Sequence, residues 1–117
     1  MNTVNIIGRL EKDPRLTQTK RGRDILRFTI KIDRKISVDT DFFAKADYIP
    51  CFAIDDKAVD IATNMRKGHR IGITGHLQSY LRTDGSAAGF YQIEVYVDRY
   101  ESLTPRMPKY MEEEQTA

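Results

Sequence analysis

The sequence predicts an all-β domain, five strands and one short α-helix, and three observations lead there. Apolar residues recur at every second position in five separate stretches, as strands with one buried face require. Only one stretch, beginning at Asp55, follows helical spacing instead. The chain has 117 residues, 40% of them hydrophobic, which suffices for one domain with a modest core.

The first strand carries Val4, Ile6, Gly8 and Leu10 on one face and Asn5, Ile7 and Arg9 on the other. The second turns Leu26, Phe28, Ile30 and Ile32 inward and Arg27, Thr29 and Lys31 outward. In the third, from Tyr48 to Ile54, Ile49, Cys51 and Ala53 face in, while Tyr48, Pro50, Phe52 and Ile54 face out. Asp55 and Asp56 are expected to cap the helix, Ala58, Ile61, Ala62 and Met65 to form its apolar stripe, and Gly68 to end it after Arg66 and Lys67. The fourth strand points Ile71, Ile73, Gly75 and Leu77 inward and Arg70, Thr74, His76, Gln78 and Tyr80 outward. The fifth has Tyr91, Ile93, Val95 and Val97 on one face, with Tyr91 assigned to the core, and Phe90, Gln92, Glu94 and Tyr96 on the other. Turns are expected at Lys20 to Arg23 and Thr83 to Gly85. Five strands, with the helix between the third and fourth, match the OB-fold barrel.

The composition excludes several classes. No apolar run is long enough for a membrane span, the N-terminus lacks a signal-peptide pattern, and the single Cys51 rules out an intramolecular disulfide; a cytoplasmic protein is expected. Cys51 reads as a small core residue. His69, His76 and Cys51 lack paired-ligand spacing, so no metal and no cofactor is expected. Nothing supplies a nucleophile or a paired acid–base set, and no enzyme is expected. Charge is uneven: residues 1–35 hold ten Lys or Arg against four acids, whereas residues 36–64 hold two against six. A basic first third on a chain of net charge +2 points to a localised polyanion-binding surface.

Several stretches, MNTVNIIGRLEKDPRLTQT, GRDILRFTIKIDR from Gly22 to Arg34, ADYIPC, MRKG and GITGHLQS, resemble the bacterial single-stranded-DNA-binding proteins in order and spacing from Met1 to about Leu103. The Gly-Arg-Leu at positions 8 to 10 followed by Asp13-Pro14 is the most specific part. The resemblance implies a non-catalytic OB barrel that coats single-stranded DNA during replication, recombination or repair. It also implies a homo-oligomer, tetramer before dimer; the apolar outer face of Ile7 on an otherwise exposed edge strand agrees.

Candidate DNA contacts follow from residue chemistry and from the resemblance together. Arg9, Arg27, Lys31 and Arg34 lie on outward faces of the first two strands, or just beyond, and suit phosphates. Family members carry four stacking aromatics; Tyr48 keeps one of these positions, while the other three fall near Ile36, Ile54 and Arg82. Phe52 and Tyr80 lie two residues from missing rings on the same faces and are expected to contact DNA, sharing one outward surface with Tyr48, Arg9 and Arg27; for Phe42 and Phe43 in the intervening loop, binding and anchoring are both open. The sequence therefore divides into a barrel over 1–103 and a short acidic tail over 104–117. Glu112 to Glu114 precede Gln115-Thr116-Ala117 without a bulky apolar end, so partner recruitment through the tail is not expected. An OB-fold interaction subunit with weak DNA binding is the competing reading, favoured by the missing rings and opposed by the basic surface.

Overall fold

A computed structural model describes residues 1–35 and 45–104; Ile36, Phe42, Phe43 and the tail from residue 105 lie outside the described residues. In chain order the elements are β1 (Val4–Leu10), β2 (Leu16–Gln18), β3 (Asp24–Asp33), β4 (Ala46–Ile54), α1 (Asp55–Asn64), β5 (Arg70–Leu81) and β6 (Tyr91–Ser102), with a single 3-10 turn at Gly85–Ala87. The sheet runs β1-β5-β6-β4-β3, and β1 pairs with β3 as well, so these five strands close into a barrel. Among the described strands only β4 and β6 run parallel. The short β2, which carries no apolar alternation, pairs with Asp24 to Leu26 along the edge of β3 that β1 uses further on. The predicted barrel and helix placement are therefore present, with α1 following the third barrel strand.

Alternation builds the interior. Leu10, Leu26, Ile30, Ile71, Val95 and Val97 are buried, as are Ala58 and Ile61 of α1 and Met65 just beyond it. Each such Leu or Ile contributes about 1.5–3 kcal/mol relative to exposure. Cys51 is in this core, and burial pushes its thiol up to about 12. Two glycines let backbones touch: a Cβ on Gly8 would lie 2.6 Å from the Lys31 carbonyl oxygen, and one on Gly75 would lie 2.0 Å from that of Tyr96. The Gly75 site adjoins a register shift in the β5–β6 ladder, where the strands bend. Loops are tied to the barrel by named bonds. Asp13 Oδ1 accepts from the Lys67 amide at 2.7 Å, and Thr104 Oγ1 accepts from the Arg70 amide at 2.7 Å.

Three expectations fail for physical reasons. The helix has Ile54 as its N-cap and no side-chain cap bond, because Asp55 sits at φ 57° and accepts two bonds from Arg23 instead. It ends at Asn64, so Arg66 and Lys67 lie past its last turn. Leu77, Tyr91 and Ile93 occupy the inward face in register but are exposed, Tyr91 at 72%. The β5–β6 hairpin pairs as far as Leu81 and Tyr91, beyond the two residue pairs at which β4 joins β6, so its far end has no opposing wall.

Gly75→Ala is expected to lower unfolding stability by about 1–3 kcal/mol or more, because the obstacle is backbone rather than a movable side chain. Urea unfolding followed by circular dichroism checks this; an unchanged midpoint would mean that the ladder relaxes freely there.

Candidate nucleic-acid interface

Outward-facing residues form two groups on the barrel wall. The first is a row across four strands. Arg70 on β5 pairs in register with Arg9 on β1, Arg9 with Lys31 on β3, and Lys31 with Tyr48 on β4. Side chains of directly paired residues sit about 4.5–5.5 Å apart at Cβ, so three cations line up in mutual repulsion, which costs the free fold stability. Arg9 and Arg70 make no ion pair among the described residues, and Lys31 reaches only Asp33, at 3.9 Å. The row ends on the Tyr48 ring, which is 54% exposed.

The second group lies four residues, about 13 Å, further along β3 and β4. Arg27 pairs in register with Phe52, and Phe52 with Tyr96 on β6. The Arg27 guanidinium carbon lies 5.8 Å from the Phe52 ring centroid and 5.7 Å from that of Tyr80. Arg27 Nη2 donates to Glu94 Oε1 at 3.4 Å, reaching across β4 to do so. Phe52 meets Tyr96 edge to face at 5.1 Å, and Tyr96 meets His76 at 5.0 Å. His76 Nδ1 lies 3.0 Å from Asp98 Oδ2, and its Nε2 lies 3.0 Å from Gln78 Nε2. Both ring nitrogens of His76 thus have a partner, and Asp98 and Gln78 together hold the imidazole in place.

The remaining candidates are separated from these groups by their partners or positions. Arg34 forms a two-pronged pair with Asp47, which holds that carboxyl below the usual carboxylate range, chiefly by hydrogen bonding. The exposed pair Arg23–Asp55 behaves alike, and Asp55 is lowered for the same reason. Arg82 pairs with Asp84 at 3.3 Å on the projecting hairpin, which lowers Asp84. Ile54 is half-buried at the helix N-cap and offers no ring. Among the sequence candidates, Arg9, Lys31 and Tyr48 thus come together, and so do Arg27, Phe52 and Tyr80.

Sequence reasoning missed Arg70, Glu94, Tyr96 and His76 as members of this face, and Tyr91 as an exposed ring on the hairpin. Alternation placed Arg70, Glu94, Tyr96 and His76 outward; strand order alone brings them beside the chosen residues, and that order is not a local signal. Among the described residues, no group of three or more His, Cys, Asp or Glu could hold a metal ion, and no helix is long and apolar enough to cross a membrane.

Comparison with known proteins agrees with this geometry. The chain is 39% identical to a single-stranded DNA-binding protein of Clostridium tetani, over 88% of this chain and 70% of the relative. It is 33% identical to one of Bacillus cereus, over 91% of this chain and 62% of the relative. Single-stranded DNA-binding protein A of Bacillus subtilis is 28% identical, again over 91% of this chain, which spans 61% of that relative. A family profile described as the Single-strand binding protein family matches residues 1–103, and the chain belongs to that family.

Proposed function

We propose that this chain binds single-stranded DNA, with little regard to base order and without a chemical step, in replication, recombination or repair. The carrying observation is the in-register row Arg70–Arg9–Lys31 ending at Tyr48. Three like charges set side by side destabilise a free sheet and are relieved by a polyanion. A ring at the end of the row offers a base face beside the phosphate line, and such stacking suits every base. Relatives named for single-stranded DNA binding support the same reading. The working unit is the barrel over 1–103, acting in the cytoplasm, and Arg34 and Arg82 stand in a second rank because each already has a carboxylate.

The protein acts as a homo-oligomer, tetramer before dimer. Ile7 is 52% exposed on the outer face of β1, opposite Gly72. Beside it is a hollow of about 360 Å³, lined in part by Asn5, Thr74, Arg99 and Leu103. That half-apolar outer face is away from the Tyr48 end of the row and suits self-association.

Arg9→Ala is expected to move binding and stability in opposite directions. Arg9→Ala weakens oligo-dT binding and flattens the dependence of log K on log salt by about 0.7. The same change raises thermal stability in low salt, up to about 1 kcal/mol, because a repulsive neighbour is gone. Filter binding and melting curves at two salt concentrations check both, and a lost affinity accompanied by lost stability would mark Arg9 as structural. Wild-type protein without measurable oligo-dT binding would overturn the reading itself.

Asp47→Asn should have two effects. A carboxyl lowered in the folded state stabilises the fold above its unfolded value near 4, and that contribution disappears as pH falls through the folded value. The variant should therefore lose less stability than wild type between pH 5 and pH 2, read from melting temperatures. Its released Arg34 should also steepen the salt dependence of binding by up to about 0.7. Ile7→Lys is expected to shift sedimentation at micromolar concentration toward smaller species, and an unchanged profile would move the subunit contact elsewhere.

A further inference from the structure

We propose that Arg27 meets the bases of a bound strand rather than its phosphates, and that Glu94 determines this. The inference rests on the single-strand reading and assigns a role within that surface which charge alone would misplace.

Four observations converge. Glu94 is the one buried charged residue among the described residues, at 5% exposure, and its single ion-pair partner there is Arg27. A carboxylate so enclosed demands a counter-charge, so the guanidinium is drawn inward across β4 instead of extending to solvent. Phe52 and Tyr80 lie on strands on either side of Glu94, and both rings contact that same guanidinium. The Arg27 side chain nevertheless keeps 57% of its surface open.

These facts define a flat group, fixed at several points, with an accessible side. A guanidinium plane stacks on nucleobases as well as on protein rings. Its charge is offset by Glu94, so Arg27 adds little to the phosphate attraction that the Arg9 row supplies. Phe52, Arg27 and Tyr80 together form a three-member base platform. Glu94 is its positioning residue: it keeps the cation flat against the wall and out of reach of the backbone. The rings alone, two strands apart, would leave a gap where Arg27 now lies.

Substitution pairs separate the two roles. Glu94→Gln keeps the shape and removes the hold, so the freed Arg27 should reach a phosphate and steepen the salt dependence of oligo-dT binding by about 0.7. Arg27→Gln in the wild-type background should weaken binding about five- to a hundredfold, the range for losing a stacked base, with the salt dependence unchanged. Arg27→Gln combined with Glu94→Gln should cancel the steepening. The proposal is overturned if Arg27→Gln flattens the salt dependence by about 0.7 while Glu94→Gln leaves it alone, since Arg27 would then be a phosphate contact already. Should Glu94→Gln not fold, nuclear Overhauser contacts in the wild-type complex decide. Contacts from the Arg27 guanidinium to thymine H6 and methyl protons support the platform, and contacts to sugar protons alone overturn it. Absence of oligo-dT binding by wild type would instead remove the single-strand reading on which the proposal rests.

Discussion

The barrel depends on β1 pairing along both of its edges at the level of Arg9 and Leu10. Arg9 stands opposite Arg70 on one side and Lys31 on the other, while Leu10 turns into the core and pairs with Ile30. Closure there requires β1 to come close to β3, and Gly8 permits it, with no side chain to strike Ile30 or the Lys31 carbonyl. Once the strand is locked, period-two geometry leaves no choice about Arg9. The burial that makes the barrel thus also aligns three cations on its outside. A stability cost on the surface is a direct consequence of the closure that stabilises the interior.

Total basic charge is a poor guide to this surface, because several of the cations are already engaged. Arg23, Arg34 and Arg82 each face an exposed aspartate, and Arg27 faces a buried glutamate. Exposed pairs contribute little to stability, so their main effect is to localise charge. What remains concentrated is the row through Arg9. Of the cations in residues 1–35, Arg9 and Lys31 are the two set side by side on paired strands, joined by Arg70 from a distant part of the chain.

Alternation was readable wherever an opposite wall exists. It placed Leu26, Phe28 and Ile30 inside and Arg27 and Lys31 outside, and it identified Cys51 as a core residue. It failed at Leu77, Tyr91 and Ile93, because periodicity reports which face a residue takes and not whether anything covers that face. The opposite error occurred at Glu94, assigned to the outer face yet buried, with Arg27 of β3 reaching it across β4. The missing helix cap has a local cause: an aspartate that completes an ion pair with Arg23 is not available to the first turn of α1. Family membership was legible from motif order, and outward alternation already grouped Arg27 with Phe52 and Tyr80; that Glu94, Tyr96 and His76 join them was not legible, since strand neighbours are not encoded in any single stretch.

Loss of an aromatic position need not mean loss of a stacking surface. Tyr48 keeps its expected place, while Ile54 has become part of a helix start. Phe52 is braced by Tyr96, Tyr96 by His76, and His76 by Asp98 and Gln78, so each planar group is oriented by its neighbour. Rings held on paired strands lose less conformational freedom on contact with a strand than rings on loops would. Such bracing has a consequence for recognition. A stacked plane fixed from below presents only its face, and the hydrogen-bonding edges that distinguish one base from another go unread. Under the proposed function, indifference to base order follows from a wall that offers base-stacking faces rather than hydrogen-bonding edges.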